Sequence, residues 1–328
     1  MTAIVSTLAA TATAVPLLLW SGPGPNNDPV QTVESYDAAI GENPEGVAVD
    51  SDGDIYVTLA GTGELRRIDG KTYQGQTLAS FDVGGGFLLG MAFDSADDLY
   101  VALASFDDAT SGVWRVDADG STERVVPFPA TAFVNDLTFD DDDNLFITES
   151  IGGVVYRVEA GSSTPEVFAA SPLLVGDVSV SPVPFPIGAN GITYDDETDT
   201  VFVANSQVPS IVEIADDGGV AGAISVFAAG PELFGADGLS LDKKGDVYVV
   251  SNFNSTILRL DRATGDATVL ADASDGLVFP STAAFGQRGK DKKSLYVANF
   301  GFGAGPTAPV SVLRVYVGEK SEKNPAGT

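Results

Sequence analysis

The sequence predicts an all-β protein: a six-bladed β-propeller with four antiparallel strands per blade, its ring closed by an N-terminal strand in the last blade. Three observations carry this. A two-strand phrase recurs six times, as GVAVDSDGDIYV from Gly46, GMAFDSADDLYV from Gly90, DLTFDDDDNLFI from Asp136, GITYDDETDTVFV from Gly191, GLSLDKKGDVYV from Gly238 and a degraded TAAFGQRGKDKKSLYV from Thr282. The copies start 44 to 55 residues apart, the length of one propeller blade. Between copies, apolar and polar residues alternate and the chain turns at Gly and Asp, as short antiparallel connections require.

Each copy supplies an innermost strand ending mostly in Asp, a tight turn, and a second strand. Third strands follow at 63–69, 112–117, 153–159 and 256–261. Fourth strands follow at 76–83, 122–128, 165–170, 223–229 and 266–272. The sixth unit has only three strands after Pro280, the last at 309–317. Residues 30–36 (VQTVESY) are therefore assigned as its outer strand, which closes the ring and leaves no open sheet edge inside it. Residues 26–318 form one propeller, and the insertion at 171–187, apolar and without basic residues, reads as a lid or pocket wall. Residues 1–25 and the charged tail 319–328 are expected to be peripheral. Residues 3–20 are apolar with no preceding Lys or Arg, so they read as a signal segment, a tether or a start-site extension. The balance favours the cytoplasm of a high-salt organism over export. No stable membrane association is expected beyond this segment, since later apolar runs are too short or too broken to span.

With 17 Lys+Arg against 46 Asp+Glu, the formal net charge is −29, which argues against nucleic acid or an anionic membrane as partner. A hydrophobic content of 44% excludes disorder, so the acidity reads as adaptation to high salt, and a lone carboxylate says little about function. Cysteine and histidine are both absent. That removes disulfides, thiolate nucleophiles, Ser-His-Asp triads and His-based zinc sites. Chemistry is left to carboxylates, amides, hydroxyls and a hard cation.

In a propeller the first strands line the central channel, so the residues just before the six phrases should converge. They are Glu45, Leu89, Asn135, Asn190, Asp237 and Ser281. Glu45, Asn135, Asn190 and Asp237 form an oxygen-only donor set with two charges, with Ser281 as a weaker fifth. Such a set suits Ca²⁺ best and tolerates Mg²⁺ or Mn²⁺. The same Asn and Asp residues are also readable as turn caps that satisfy backbone groups. Asp residues that end the first strands, and the run at 140–143, read as turn residues. A second layer at the ends of the second strands, Glu149, Asn205, Asn252 and Asn299, would orient the ligands or touch substrate; for Asn299, packing between blades is preferred.

Pro44-Glu45-Gly46, Asn135-Asp136, Asn190-Gly191 and Asp237-Gly238 occur in this order, one per blade. Over about residues 30–317 this pattern resembles the gluconolactonase, regucalcin and luciferin-regenerating-enzyme family of six-bladed propellers. The resemblance implies a Ca²⁺-type metal held by Glu45, Asn190 and Asp237, with Asn135 at the metal or the substrate, and hydrolysis of a lactone. Two departures bear on substrate. Phe133 stands where sugar-lactone members often carry an Arg, and the His pair of paraoxonase-like members is missing. With Phe87, Phe106, Phe133, Phe185, Phe279 and Phe300 on candidate mouth loops, a less polar lactone or ester is expected, unless these rings pack between blades. Asp237 is the candidate general base; alternatively it positions a water. A different reading is a non-catalytic interaction propeller resembling NHL modules, whose second strands look like VFVANS at 201–206. A propeller that keeps the site for binding without turnover is a third.

Overall fold

Alternation along each phrase makes strands, and the computed structural model, which describes residues 29–180 and 183–321, groups them into six four-stranded antiparallel sheets. The innermost strands are Pro44–Val49, Phe87–Phe93, Val134–Phe139, Ala189–Asp195, Ala236–Leu241 and Ala283–Phe285, and each packs beside the next around a central channel. In five blades the remaining strands follow outward in chain order. The sixth is completed by Val30–Ser35, which pairs antiparallel with Ser311–Tyr316, Val30 opposite Val315 and Ser35 opposite Ser311. The ring thus closes between the first and last strands of the described chain, as the strand count required.

Each innermost strand of the first five blades ends at the lower mouth of the channel in an Asp-headed turn. Asp140 shows why Asp stands there. Its carboxylate accepts the backbone N–H groups of Asn144 (2.8 Å) and Asp142 (3.0 Å) and the Asn144 side-chain amide (2.8 Å). The turn then needs a left-handed residue, supplied by Gly53 and Gly245 or by Asp97, Asp143 and Asp199, a residue type that tolerates positive φ. These turns also join blades: Ser95 donates to Asp143 through its N–H (2.8 Å) and hydroxyl (2.6 Å).

The hydrophobic core lies between blades rather than in one centre. Leu65, Phe81, Leu88, Met91 and Phe93, for example, fuse the first two blades. Phe146 and Phe202 are fully buried, each worth about 2–3 kcal/mol of apolar transfer. The tail begins against the fifth blade: Glu319 pairs with Lys244 (2.9 Å), and Ser321 bridges to Asp242. These are local partners on the fifth blade that the charge pattern alone does not reveal. Residues 1–25 and 322–328 lie outside the described residues. Among the described residues no helix is long and apolar enough to cross a membrane.

Candidate functional site

Five innermost strands share one irregularity. In the first blade Pro44 faces Leu59 but Val47 faces Val57, so one extra residue is inserted between them. The same shift falls at 88/91, 134/137, 189/192 and 236/239. A β-bulge re-aims the side chain it carries. Here the bulges hold Glu45, Leu89, Asn135, Asn190 and Asp237, and all five line one cavity at the upper mouth of the channel. The glycine that follows is required by the approach of the next blade: a Cβ on Gly46 would meet the Leu89 carbonyl oxygen, and one on Gly191 would overlap the Asp237 carbonyl. The third blade has Asp136 instead. Its carboxylate accepts the N–H groups of Leu137 (2.9 Å) and Ile192 (3.2 Å), latching the third blade to the fourth.

Hydrogen-bond accounting separates these residues from ordinary turn caps. Asn190 Nδ2 donates to Ser206 Oγ (2.7 Å), whose hydroxyl donates to the Ala236 carbonyl (2.7 Å). Asn135 Nδ2 donates to Ser150 Oγ (2.9 Å), which donates to the Ala189 carbonyl (2.7 Å). Asn252 Nδ2 donates to Asp237 Oδ2 (3.1 Å). The amide nitrogens are thereby anchored, and the amide oxygens of Asn190 and Asn252 are left over. Glu45 Oε2, Asn190 Oδ1 and Asn252 Oδ1 are buried with no hydrogen-bond partner among the described residues. Each such orphan costs on the order of 1–3 kcal/mol, so three in one cluster demand a reason.

Electrostatics sharpens the imbalance. Burial holds the Glu45 carboxyl well above the usual carboxylate range, and the neighbouring Asp237 and Asp136 raise it further. Burial also raises Asp237, against the opposing hydrogen bonds from Asn252 and Asn190 and with a further push from Asp136. Asp136 is pushed up to about 7 by burial, offset in part by its two backbone donors. Among the described residues no Lys or Arg lines the cavity to compensate these groups. Among the described residues no three carboxylates cluster by themselves. The arrangement is two carboxylates interleaved with neutral amides, acceptors whose hardness matches a cation such as Ca²⁺.

Three anticipated pocket residues lie elsewhere. Glu149 does not line the cavity; its carboxylate accepts the N–H groups of Phe133 (2.9 Å), Ile151 (3.1 Å) and Gly152 (2.7 Å). Asn205 is fully buried and clamps the insertion, donating to the Leu173 (2.9 Å) and Val175 (3.1 Å) carbonyls. Ser281 Oγ donates to the Glu45 backbone carbonyl (2.6 Å), holding the strand rather than facing the cavity. Asn299 likewise bonds only to backbone, at Gly276, Pro309 and Val278. Asn252 lines the cavity as expected, whereas in the third and fourth blades the supporting layer is set one residue further along than anticipated, at Ser150 and Ser206. A shift of one residue reverses which side of a strand a side chain faces, so Glu149 and Asn205 mark the right place with the wrong parity.

Above the polar floor the cavity is walled by rings. Phe87, Phe133 and Phe185 stand on one side, and Phe253, Phe279, Phe300 and Phe302 on the other. Phe106 touches this set through Phe133 (6.4 Å between centroids). Leu89 and Phe133 line the cavity as expected; Phe253 and Phe302 were not anticipated, and the only sequence signal for them is Phe beside a site Asn or another loop Phe. The insertion is a wall: Val183, Phe185 and Ile187 line the cavity, and Gln207 ties it down by accepting the Ile187 N–H (3.1 Å) and donating to the Phe185 carbonyl (3.1 Å).

A family model described as the N-terminal part of strictosidine synthase-like proteins matches residues 22–68. A comparison with curated protein sequences finds no match. Among solved structures, a calcium-binding regucalcin from Agrobacterium tumefaciens superposes with a TM-score of 0.64 at 17% identity, covering 87% of this chain and 93% of that one. A luciferin-regenerating enzyme gives 0.68 at 14%, covering 90% and 97%. A gluconolactonase from Xanthomonas campestris gives 0.67 at 16%, covering 88% and 89%. Likeness at such identities speaks to architecture, and each covers nearly the whole ring. The chain has the six-bladed propeller fold of the gluconolactonase, regucalcin and luciferin-regenerating-enzyme group.

Proposed function

We propose that this propeller is a Ca²⁺-dependent hydrolase that opens a lactone or a related ester at the upper mouth of its channel. The observation that carries the reading is the set of buried, partnerless acceptors on Glu45, Asn190 and Asn252 at the floor of an apolar cavity. Hard oxygen donors, two carboxylates and no competing basic side chain fit Ca²⁺, with Mg²⁺ or Mn²⁺ as tolerated substitutes. Glu45, Asn190 and Asp237 would hold the ion, with Asn135 beside them. The likeness to a calcium-binding regucalcin and a gluconolactonase supports the same reading.

When bound, the cation supplies a positive charge that polarises the substrate carbonyl and favours the developing oxyanion. The protein's own groups do the rest. Asp237, held by the Asn252 amide, accepts a hydrogen bond from the attacking water and aims it at the acyl carbon. Asn135, fixed through Ser150, sets the position of the carbonyl group. The water oxygen bonds to the acyl carbon and gives up a proton to Asp237, the acyl–oxygen bond breaks, and the departing oxygen takes that proton back from Asp237, giving a hydroxy acid from a lactone or an acid and an alcohol from an ester. The Phe walls exclude bulk water, which strengthens every charge interaction at the floor.

Calorimetric titration with Ca²⁺ tests the reading, on the wild type and on the Glu45→Gln/Asp237→Asn double variant. Stoichiometric binding lost in the variant, followed by turnover in a lactone and ester screen, is expected. A wild type that binds no divalent cation would make the interaction propeller the better account.

A further inference from the structure

The hydrolase reading leaves open which substituent the lactone or ester carries, and the two walls of the cavity address it. On one side Phe87 and Phe185 lie against Phe133, with centroids 6.1 and 5.6 Å away. On the other, Phe253 and Phe279 meet edge to face at 5.2 Å and 77°, and Phe279 continues to Phe302 at 5.7 Å. Phe133 is buried in the core between the second and third blades, with Phe87 and Phe185 packed against that core, while Phe253, Phe279, Phe300 and Phe302 remain partly or largely exposed; all seven also present surface to the cavity. The side chains available for polar contact lie at the floor, and the amide of Gln207 is already committed to the insertion. A polyhydroxylated ring would bury hydroxyls against carbon, each without a partner.

Phe279 adds a second, independent sign. Its φ is 45°, a region unfavourable to any residue with a Cβ, and a bulky aromatic there is unusual. The strained turn is held from both sides: the Phe279 N–H donates to Ser255 Oγ (3.1 Å), and the Val278 N–H donates to Asn299 Oδ1 (2.7 Å). Backbone strain that the surroundings enforce concentrates at functional positions. Here it projects one ring into the mouth of the cavity. The free volume of the whole cavity is about 100 Å³, below the roughly 150 Å³ of an engineered cavity that admits benzene. The enclosed part therefore takes the reacting carbonyl and the near edge of one ring, the rest of which lies in the open mouth among Phe279, Phe300 and Phe302.

We infer that the site selects an acyl or lactone substrate bearing a single aromatic ring, held between the Phe133 and Phe279 walls with its carbonyl at the Glu45–Asp237 floor. This rests on the lactone or ester reading above and names its substrate class. Edge-to-face and offset contacts with two walls favour an aryl ring over a saturated ring of equal size by about tenfold.

The probes are γ-phenyl- and γ-cyclohexyl-γ-butyrolactone, together with the two corresponding γ-lactams, which resist hydrolysis. Calorimetry on the Ca²⁺-loaded protein should show the phenyl lactam binding about tenfold more tightly than the cyclohexyl lactam. In Phe279→Gly that ratio should fall towards one while Ca²⁺ affinity is unchanged; glycine relieves the positive φ, so folding should survive. Equal binding of the two lactams, binding of neither, or a ratio that persists in both Phe279→Gly and Phe133→Leu would overturn the inference. Tight phenyl-lactam binding with no hydrolysis of either lactone would uphold the aryl site and sink the hydrolase instead. Hydrolysis of glucono-lactone in preference to both probes would do the reverse.

Discussion

At the lower mouth of the channel Asp140 has three donors around its carboxylate, all from its own turn. At the upper mouth Asp237 has an anchored amide on one oxygen, and its neighbours Glu45, Asn190 and Asn252 each bury an acceptor that nothing satisfies. Both ends use short acidic and amide side chains, repeated blade after blade. What distinguishes them is how many backbone N–H groups lie within reach. A tight turn folds its own N–H groups back onto the residue that begins it, whereas at the bulges the Gly46 and Asp136 N–H groups go to the Thr58 and Thr148 hydroxyls of the second strand and the re-aimed axial side chains point away from them. Carboxylates become stability elements in the first setting and candidate ligands in the second.

Exchanging the perturbation between the two ends should give the largest contrast. Asp237→Ala should remove Ca²⁺ binding and lower kcat/KM by about 10³-fold, and should leave the melting temperature of the metal-free protein unchanged or raised, because a repulsive buried charge is gone. Asp140→Ala should do the opposite, lowering stability by about 2 kcal/mol with cation affinity intact. Paired calorimetry and thermal unfolding measure both. Unchanged turnover in Asp237→Ala would erase the distinction.

The supporting layer should give a smaller effect. Ser206→Ala frees the Asn190 amide to rotate and should weaken Ca²⁺ binding by about 10–100-fold without abolishing it. An affinity equal to wild type would mean that Ser206 serves only the Ala236 carbonyl on the next blade.

Smallest is a pH effect confined to the upper end. Burial pushes the Asp136 carboxyl up to about 7 in the folded protein, well above the ordinary value near 3.8 that the unfolded chain approaches. The folded state therefore keeps a proton that the unfolded state has released. The stabilisation is complete below the unfolded value and is lost as pH rises through about 7. In chelator, one such group lowers stability by about 1.4 kcal/mol between pH 6 and 8. Asp136→Asn should flatten that part of the profile, as read by denaturant unfolding at each pH; an identical slope in the variant would assign the titration elsewhere.

The ring was legible because its signals are local. Alternation, Asp-headed turns and the missing strand of the sixth unit each lie within a few residues, and the assignment of the outer strand followed from counting. The axial residues were legible because each stands just before the recurring phrase, followed by glycine in four blades and by Asp136 in the third. Glu149 and Asn205 were misplaced because parity at a strand end depends on where the chain leaves the sheet, which no alternation pattern records. Phe253 and Phe302 were missed for a related reason: loop residues reach the mouth according to loop path, and the path is set by packing against other blades. Docking of Ser321 against Asp242 on the fifth blade depends on a contact with no sequence periodicity behind it.

The pairing of Val30–Ser35 with Ser311–Tyr316 also dictates an order of assembly. Glu45 belongs to the blade made first, yet its backbone carbonyl is fixed by Ser281 of the blade made last, across the seam where the ring shuts. A growing chain can stack its first five blades as they emerge, but the axial cluster stays incomplete until the final strand is released and meets the first. Ring closure joins residues at nearly maximal sequence separation, the slowest kind of contact to form. If the proposed cation is bound, its capture is a late event in the life of the nascent chain, and an ion seated on residues from several blades would act afterwards as a rivet, slowing the reopening of the ring.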